Sequence, residues 1–193
     1  SGVWAGTFHS TCGKMLRRFA DRIGYSSNFT IYDTSDSERL MKEVIRELGL
    51  DDKTFPAKYV LSVISREKDK MVNPEQMMEH IEFSGDMRLY HVAKAYAKYQ
   101  ARLKESDALD FDDIIFKTVE LLRDHEDVRT YYQRKFRYVL VDEYQDVNDL
   151  QNKLFHALSN LGEKRFVVGD VKQCIYRFRE SNPENFIELL ENS

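Results

Sequence analysis

Two cysteines, three prolines and eight glycines are all that the 193 residues contain. Cys12 and Cys174 lie far apart and match no metal-ligand spacing, which argues against a disulfide-stapled scaffold and suits a reducing, cytoplasmic setting. So little glycine and proline excludes collagen, a flexible linker array and a low-complexity chain. Long apolar runs are missing too. The longest is about four residues, Tyr138 to Val141, against the ~20 needed to cross a bilayer. No basic segment followed by an apolar run opens the chain, so no signal peptide is visible.

What is present is 42% hydrophobic and 32% charged residues, the mark of a helix-leaning globular chain able to bury a sizeable core. The net charge of −4 does not by itself suggest a polyanionic partner. Its distribution says more. Residues 1–31 carry Lys14, Arg17, Arg18 and Arg22 against Asp21, whereas residues 109–163 carry seven bases against twelve acids. A globally acidic chain can therefore hide a local basic path.

Val3 to Thr7 is β-prone, and Ser10 is placed to cap a helix to about Ile23, with Met15, Leu16, Phe19 and Ile23 inward and Gly24 closing it. Ser35 and Glu38 have capping-box spacing before Leu40, Met41, Val44, Ile45 and Leu48, which Gly49 ends. Pro56 opens a further helix, and Asn73-Pro74 another. Asp86 to about Ser106 reads as one long helix with Leu89, Tyr90, Ala93, Tyr96, Ala97 and Leu103 inward. No β-prone run interrupts residues 35–106. After it, Asp110 caps a helix to about Leu122, and Val128, Tyr131, Tyr132 and Phe136 mark another. Tyr138–Val141, a helix from about Asn148 to Leu158, and Phe166–Val168 then form a βαβ unit with parallel strands.

Ligands of such sheets bind beyond the carboxyl ends of the strands. Asp142, Glu143 and Gln145 follow one strand; Gly169, Asp170 and Gln173 follow the next. A first carboxylate can hold Mg²⁺ while its neighbour activates a water for attack on a phosphate. A lone Asp-Glu is more often only the favourable start of a helix. Here the run Val139-Leu-Val-Asp-Glu-Tyr-Gln-Asp146 is followed one βα unit later by Val167-Val-Gly-Asp-Val-Lys-Gln173, which points to phosphoryl-transfer chemistry. Tyr176, Arg177, Phe178 and Arg179 then alternate rings and guanidiniums, the pattern that stacks on bases and meets phosphates of a single strand. The bland alternative places Ile175 and Phe178 in a core. For Asp110, Asp112 and Asp113, capping and the positive end of a helix account for all three. A metal nuclease built on them with Asp142 and Glu143 is the less favoured reading. Lys14, Arg17 and Arg18 read as a solvated basic face.

Thr7-Phe-His-Ser10, Leu109-Asp-Phe-Asp-Asp113, the run from Val139 to Asn148 and the run from Val167 to Arg179 together resemble superfamily 1 DNA helicases of the UvrD/PcrA/Rep type. They stand in the family's order, and the likeness spans essentially the whole chain. The resemblance implies an α/β, helix-rich fold: a partial RecA-like (P-loop NTPase) parallel sheet, residues 1–31 and 108–193, carrying an all-helical inserted subdomain, residues 32–107. It also implies an ATP-driven motor translocating 3′-to-5′ on single-stranded DNA, in repair or replication. Asp142 then resembles the Mg²⁺-associated Walker B aspartate, Glu143 the residue activating water, and Gln173 the γ-phosphate sensor coupled to DNA. Tyr176, Arg177, Phe178 and Arg179, with Thr7 and His9, fall along the DNA path.

A phosphate-cradling Gly-x-x-x-x-Gly-Lys followed by Ser or Thr is absent. Gly13-Lys14 is followed by Met15 and has Phe8 where the first glycine belongs. The family's P-loop lies upstream and its transition-state arginines in a second RecA-like domain, so the 193 residues alone are expected neither to hold ATP and Mg²⁺ nor to hydrolyse ATP. Expected partners are single-stranded DNA, duplex junctions and the remaining helicase domains, with self-association through an open sheet edge as a risk. Val171-Lys172 before Gln173 is similar to the helicase subunit of AddAB-type recombination nucleases, while the short insertion favours UvrD/PcrA. A non-catalytic DNA-binding module is the alternative from another class.

Overall fold

Asp33 opens the first long helix. Its carboxylate accepts from Asp36 N at 2.8 Å while Asp36 Oδ2 accepts from Asp33 N at 3.2 Å, a reciprocal capping box. The box thus sits two residues upstream of the Ser35–Glu38 pair expected from spacing. An aspartate at N3 closes it as well as a glutamate would, and Ser37 is left to be buried inside the helix. In the computed structural model, residues 12–131 are described, and they divide into two compact units: Asn28–Asp113, and residues 12–27 with 114–131.

The Asn28–Asp113 unit runs β1 (Thr30–Tyr32), α1 (Thr34–Glu47), α2 (Ala57–Asp69), α3 (Pro74–Ser84), α4 (Met87–Glu105) and β2 (Ala108–Asp110). It ends in the first residues of α5 (Phe111–Asp124), and the division between the units falls inside that helix. Each start has a chemical reason. Pro56, with its fixed φ, precedes α2, and Asn73 makes a second capping box with Gln76 ahead of Pro74. Asp86 accepts from the amides of Arg88 and Leu89 at the head of α4. Gly49 and Gly85 end α1 and α3 at φ +68°, where a side chain would be strained.

One core holds the four helices together. Leu40, Met41, Val44 and Ile45 of α1 pack with Val60, Val63 and Ile64 of α2, Met77 and Ile81 of α3, and Val92, Ala93, Ala95, Tyr96, Tyr99 and Leu103 of α4. Helix α4 touches the other three helices and β2. Its buried stripe differs from the expected one: Ala97 is exposed, Leu89 and Tyr90 are half-buried, and Val92, Ala95 and Tyr99 are buried instead. At ~100° per residue the stripe centres on residues 92, 96, 99 and 103, and Ala97 stands on its outer flank.

Two strands escaped the sequence reading. β1 and β2 pair in parallel with Thr30 opposite Ala108, Ile31 opposite Leu109 and Tyr32 opposite Asp110. Three residues are too few to show alternation, and the pairing joins positions separated by all four helices.

In the other unit, residues 12–18 are helical, the helix breaks at Phe19, and Ala20–Ile23 continues as a 3-10 turn closed by Gly24 at φ +78°. Met15 and Leu16 are buried; Phe19 and Ile23 are only half-buried. Gly13 and Lys14 lie within this helix, so their resemblance to a phosphate loop is one of letters alone. Residues 126–131 are helical as well, with Val128 buried.

Candidate functional site

Leu109-Asp-Phe-Asp-Asp113 is the one sequence motif within the described residues, and two of its three acids, Asp110 and Asp113, converge on a single buried knot, whereas Asp112 is half-buried. β2 ends at Asp110 and α5 begins at Phe111, so Asp110 is the helix N-cap, as its position implied. Its Oδ1 accepts from Asp113 N at 2.8 Å, and Asp113 Oδ2 accepts from Asp110 N at 3.2 Å. The remaining oxygens face a cation. Lys68 Nζ, on the last turn of α2, stands 2.8 Å from Asp110 Oδ2 and 3.0 Å from Asp113 Oδ1. Tyr99 Oη donates to Asp110 Oδ2 at 2.9 Å, and Gln100 Nε2 donates to Asp113 Oδ1 at 3.2 Å. All four carboxylate oxygens are therefore partnered. The ammonium also lies 5.3 Å and 5.8 Å from the ring centroids of Tyr99 and Tyr96, a cation–π cradle.

Burial sets the electrostatics. The Lys68 side chain is 1% exposed and that of Asp113 0%. Burial alone would lower the lysine's pKa, but the two carboxylates more than offset it and hold the ammonium charged. Burial also works against Asp110, yet Lys68 keeps it below the usual carboxylate range. Asp113 goes the other way, pushed up to about 6 by burial and by the neighbouring Asp110 charge. Tyr99 is raised well above an ordinary phenol by burial and then by Asp110, so it stays a donor.

Chemically this is a closed arrangement. It leaves no carboxylate oxygen of Asp110 or Asp113 without a partner, and among the described residues no group of three or more His, Cys, Asp or Glu could hold a metal ion. Asp110 and Asp113, two of the five acids of the nuclease reading, are instead committed to a lysine. Sequence reasoning found the cap and missed the counter-cation. Lys68 sits in Arg66-Glu-Lys-Asp-Lys70, a run that looks like a solvated face. The available signal was its phase: Lys68 falls one turn beyond Ile64 on the buried stripe of α2.

The other site residues, Thr7, His9, Asp142, Glu143, Gln173, Tyr176, Arg177, Phe178 and Arg179, lie outside the described residues, as do the strands Val3–Thr7, Tyr138–Val141 and Phe166–Val168. Of the basic face, Lys14 is exposed, Arg17 Nη1 donates to Ser27 O at 2.9 Å, and the Arg18 guanidinium lies 4.6 Å from the Tyr131 ring centroid. Arg17 is thus partly spent on holding the chain that follows its own helix.

With motif order and fold in hand, comparison with known proteins defines the class. The UvrD/REP helicase N-terminal domain model matches residues 1–193, and the chain belongs to that family. Among its relatives, the ATP-dependent DNA helicase UvrD1 of Mycobacterium tuberculosis is 43% identical over 191 residues, covering 95% of this chain and 25% of the relative. PcrA helicases of Bacillus subtilis and of a Staphylococcus epidermidis strain are 40% and 38% identical, over 97% and 98% of this chain. The chain spans about a quarter of the length of these curated relatives.

Proposed function

We propose that these residues form the Walker B-bearing part of the motor of an ATP-dependent DNA helicase that moves 3′-to-5′ along single strands, in repair or replication and in the cytoplasm. The observation that carries the reading is the family match over residues 1–193, with every recognised motif in order. Residues 1–31 and 108–193 are the partial RecA-like portion and 32–107 its helical insertion. Relatives that are PcrA and UvrD1 helicases favour that branch over an AddA-like one.

Asp142 and Glu143 offer the hard oxygen donors that suit Mg²⁺, which when bound neutralises charge on the triphosphate. Asp142 is the residue to hold it. Glu143 accepts the proton of the attacking water and orients it. Gln173 donates to the terminal phosphate and loses that partner on hydrolysis, which couples nucleotide state to Tyr176 and Phe178 stacked on bases. Arg177 and Arg179, with Thr7 and His9, line the same strand. Duplex junctions and the remaining helicase domains are the partners this role requires. The 193 residues contain no phosphate-cradling Gly-Lys-Ser/Thr loop and by themselves turn over no ATP.

The test uses a protein of the relatives' full length carrying this segment. Glu143→Gln abolishes DNA-stimulated ATP hydrolysis while single-strand binding persists. Alanine at both Tyr176 and Phe178 weakens single-strand binding by ~10-fold or more, at ~1–3 kcal/mol per stacked base. Unchanged strand affinity in that double variant would overturn the DNA path, and full turnover in Glu143→Gln the catalytic assignment.

A further inference from the structure

Helix α3 buries Met77 and Ile81 and shows the opposite face to solvent, where Glu75, Glu79, Glu82 and Phe83 are all exposed. Phe83 is 95% exposed, and Met87, just past the Gly85 turn, is 62% exposed. Lone exposed apolar residues are ordinary on any protein. Here, though, two of the four large ones among the described residues stand four positions apart at one corner. Among the described residues no packing accounts for the ring, because α3 is already anchored through Met77 and Ile81 on its other side.

The charge around that corner has one sign. Residues 73–87 contain Glu75, Glu79, Glu82 and Asp86 and no lysine or arginine. None of the three glutamates makes an ion pair with a described residue. Arg88, the next base, is drawn away from the corner: its Nε donates to Tyr59 Oη at 3.2 Å, its Nη2 to Thr54 O at 3.0 Å, and its guanidinium lies 4.6 Å from the Tyr59 ring centroid.

We propose that the α3–α4 corner is a docking surface for a protein partner that presents a basic, amphipathic segment, with Phe83 and Met87 as apolar anchors and Glu75, Glu79 and Glu82 as the acidic rim. Charge complementarity selects this occupant. Along residues 73–87, phosphates of a nucleic acid or an anionic bilayer meet four carboxylates and no lysine or arginine, whereas lysines flanking an apolar stripe meet both halves of the surface. The corner thus reads as a face for proteins on a chain whose proposed substrate is DNA.

The experiment uses the whole 193-residue chain labelled at its methionine methyls, titrated with a fluorescein-tagged helical peptide of leucines at i, i+4 spacing and lysines elsewhere. Saturable binding is expected, with the Met87 methyl resonance moving along the same isotherm. Phe83→Ser should weaken it about tenfold, in line with loss of roughly 1.5 kcal/mol of apolar burial. Glu79→Lys with Glu82→Lys should weaken it at least as much, and a matched leucine–glutamate peptide should not bind. These side chains are exposed, so circular dichroism should show unaltered helix in every variant. The proposal fails if Met87 stays still at saturation or if Phe83→Ser binds like the parent. It also fails if duplex DNA or phosphatidylglycerol vesicles move Met87 more readily than the peptide. Concentration-dependent self-association abolished by Phe83→Ser would overturn it as well, making a second copy the occupant.

Discussion

Lys68 shows how much one side chain can be asked to do. Two carboxylates are buried at the head of α5 because an ammonium is buried with them. Replacing it with methionine keeps the length and removes the charge, leaving Asp110 and Asp113 uncompensated. That substitution should cost about 3–5 kcal/mol, read from urea unfolding, far more than methionine at exposed Lys58. The two acids share Lys68 and shift in opposite directions, so the pH dependence belongs to the pair. Asp113 titrates near 6 in the folded chain against 3.8 otherwise, so the native state binds more protons in that window. Its contribution therefore grows as pH falls from about 6 towards 3.8 and levels off below. Asp110 is held below 3.8, so its contribution is present above that value and is lost as acid goes further. Unfolding midpoints should accordingly rise between about pH 7 and about pH 4.5 and then fall; Asp113→Asn should remove the rise and keep the acid-side loss.

At the level of elements, the caps decide where helices begin. Asp33→Ala should cost about 1 kcal/mol while Ser35→Ala costs close to nothing, the reverse of what Ser35–Glu38 spacing implies. Asn73 was legible because it stands directly before Pro74 with no competing cap nearby, whereas Asp86, read as the first residue of α4, is its cap. The α1 start was misplaced because five consecutive cap-forming residues, Asp33, Thr34, Ser35, Asp36 and Ser37, crowd it, and only backbone direction chooses among them. The helices themselves were plain from 3.6-residue spacing. β1 and β2 were not, since a three-residue parallel strand owes its existence to a distant partner rather than to its own letters. The knot at Asp110 was half legible: capping is local chemistry, whereas Lys68 and Tyr99 arrive from other helices. The tyrosines of α4 carry a further expectation. Tyr96→Phe loses the bond from its hydroxyl to Val72 O at 2.9 Å and should destabilise by about 1 kcal/mol with the fold retained.

On the scale of the Asn28–Asp113 unit, α4 is the member every other helix leans on, and cooperative protection should follow it. Amide hydrogen exchange should be slowest from Val92 to Tyr99, the stretch that buries Val92, Ala93, Ala95, Tyr96 and Tyr99, and fastest at the exposed 82–87 corner. The parallel ladder has a consequence of its own. Thr30 and Ala108 are neighbours in space, about 4.8 Å across a strand pair, although the whole helical excursion separates them along the chain. A detour that returns to its own doorstep can lengthen, shrink or be exchanged while its entry and exit hold still, at a chain-entropy cost that rises only with the logarithm of its length. Evolution could therefore rewrite much of what lies between those two residues one helix at a time without reopening the join, provided that Lys68 and Tyr99 still meet Asp110.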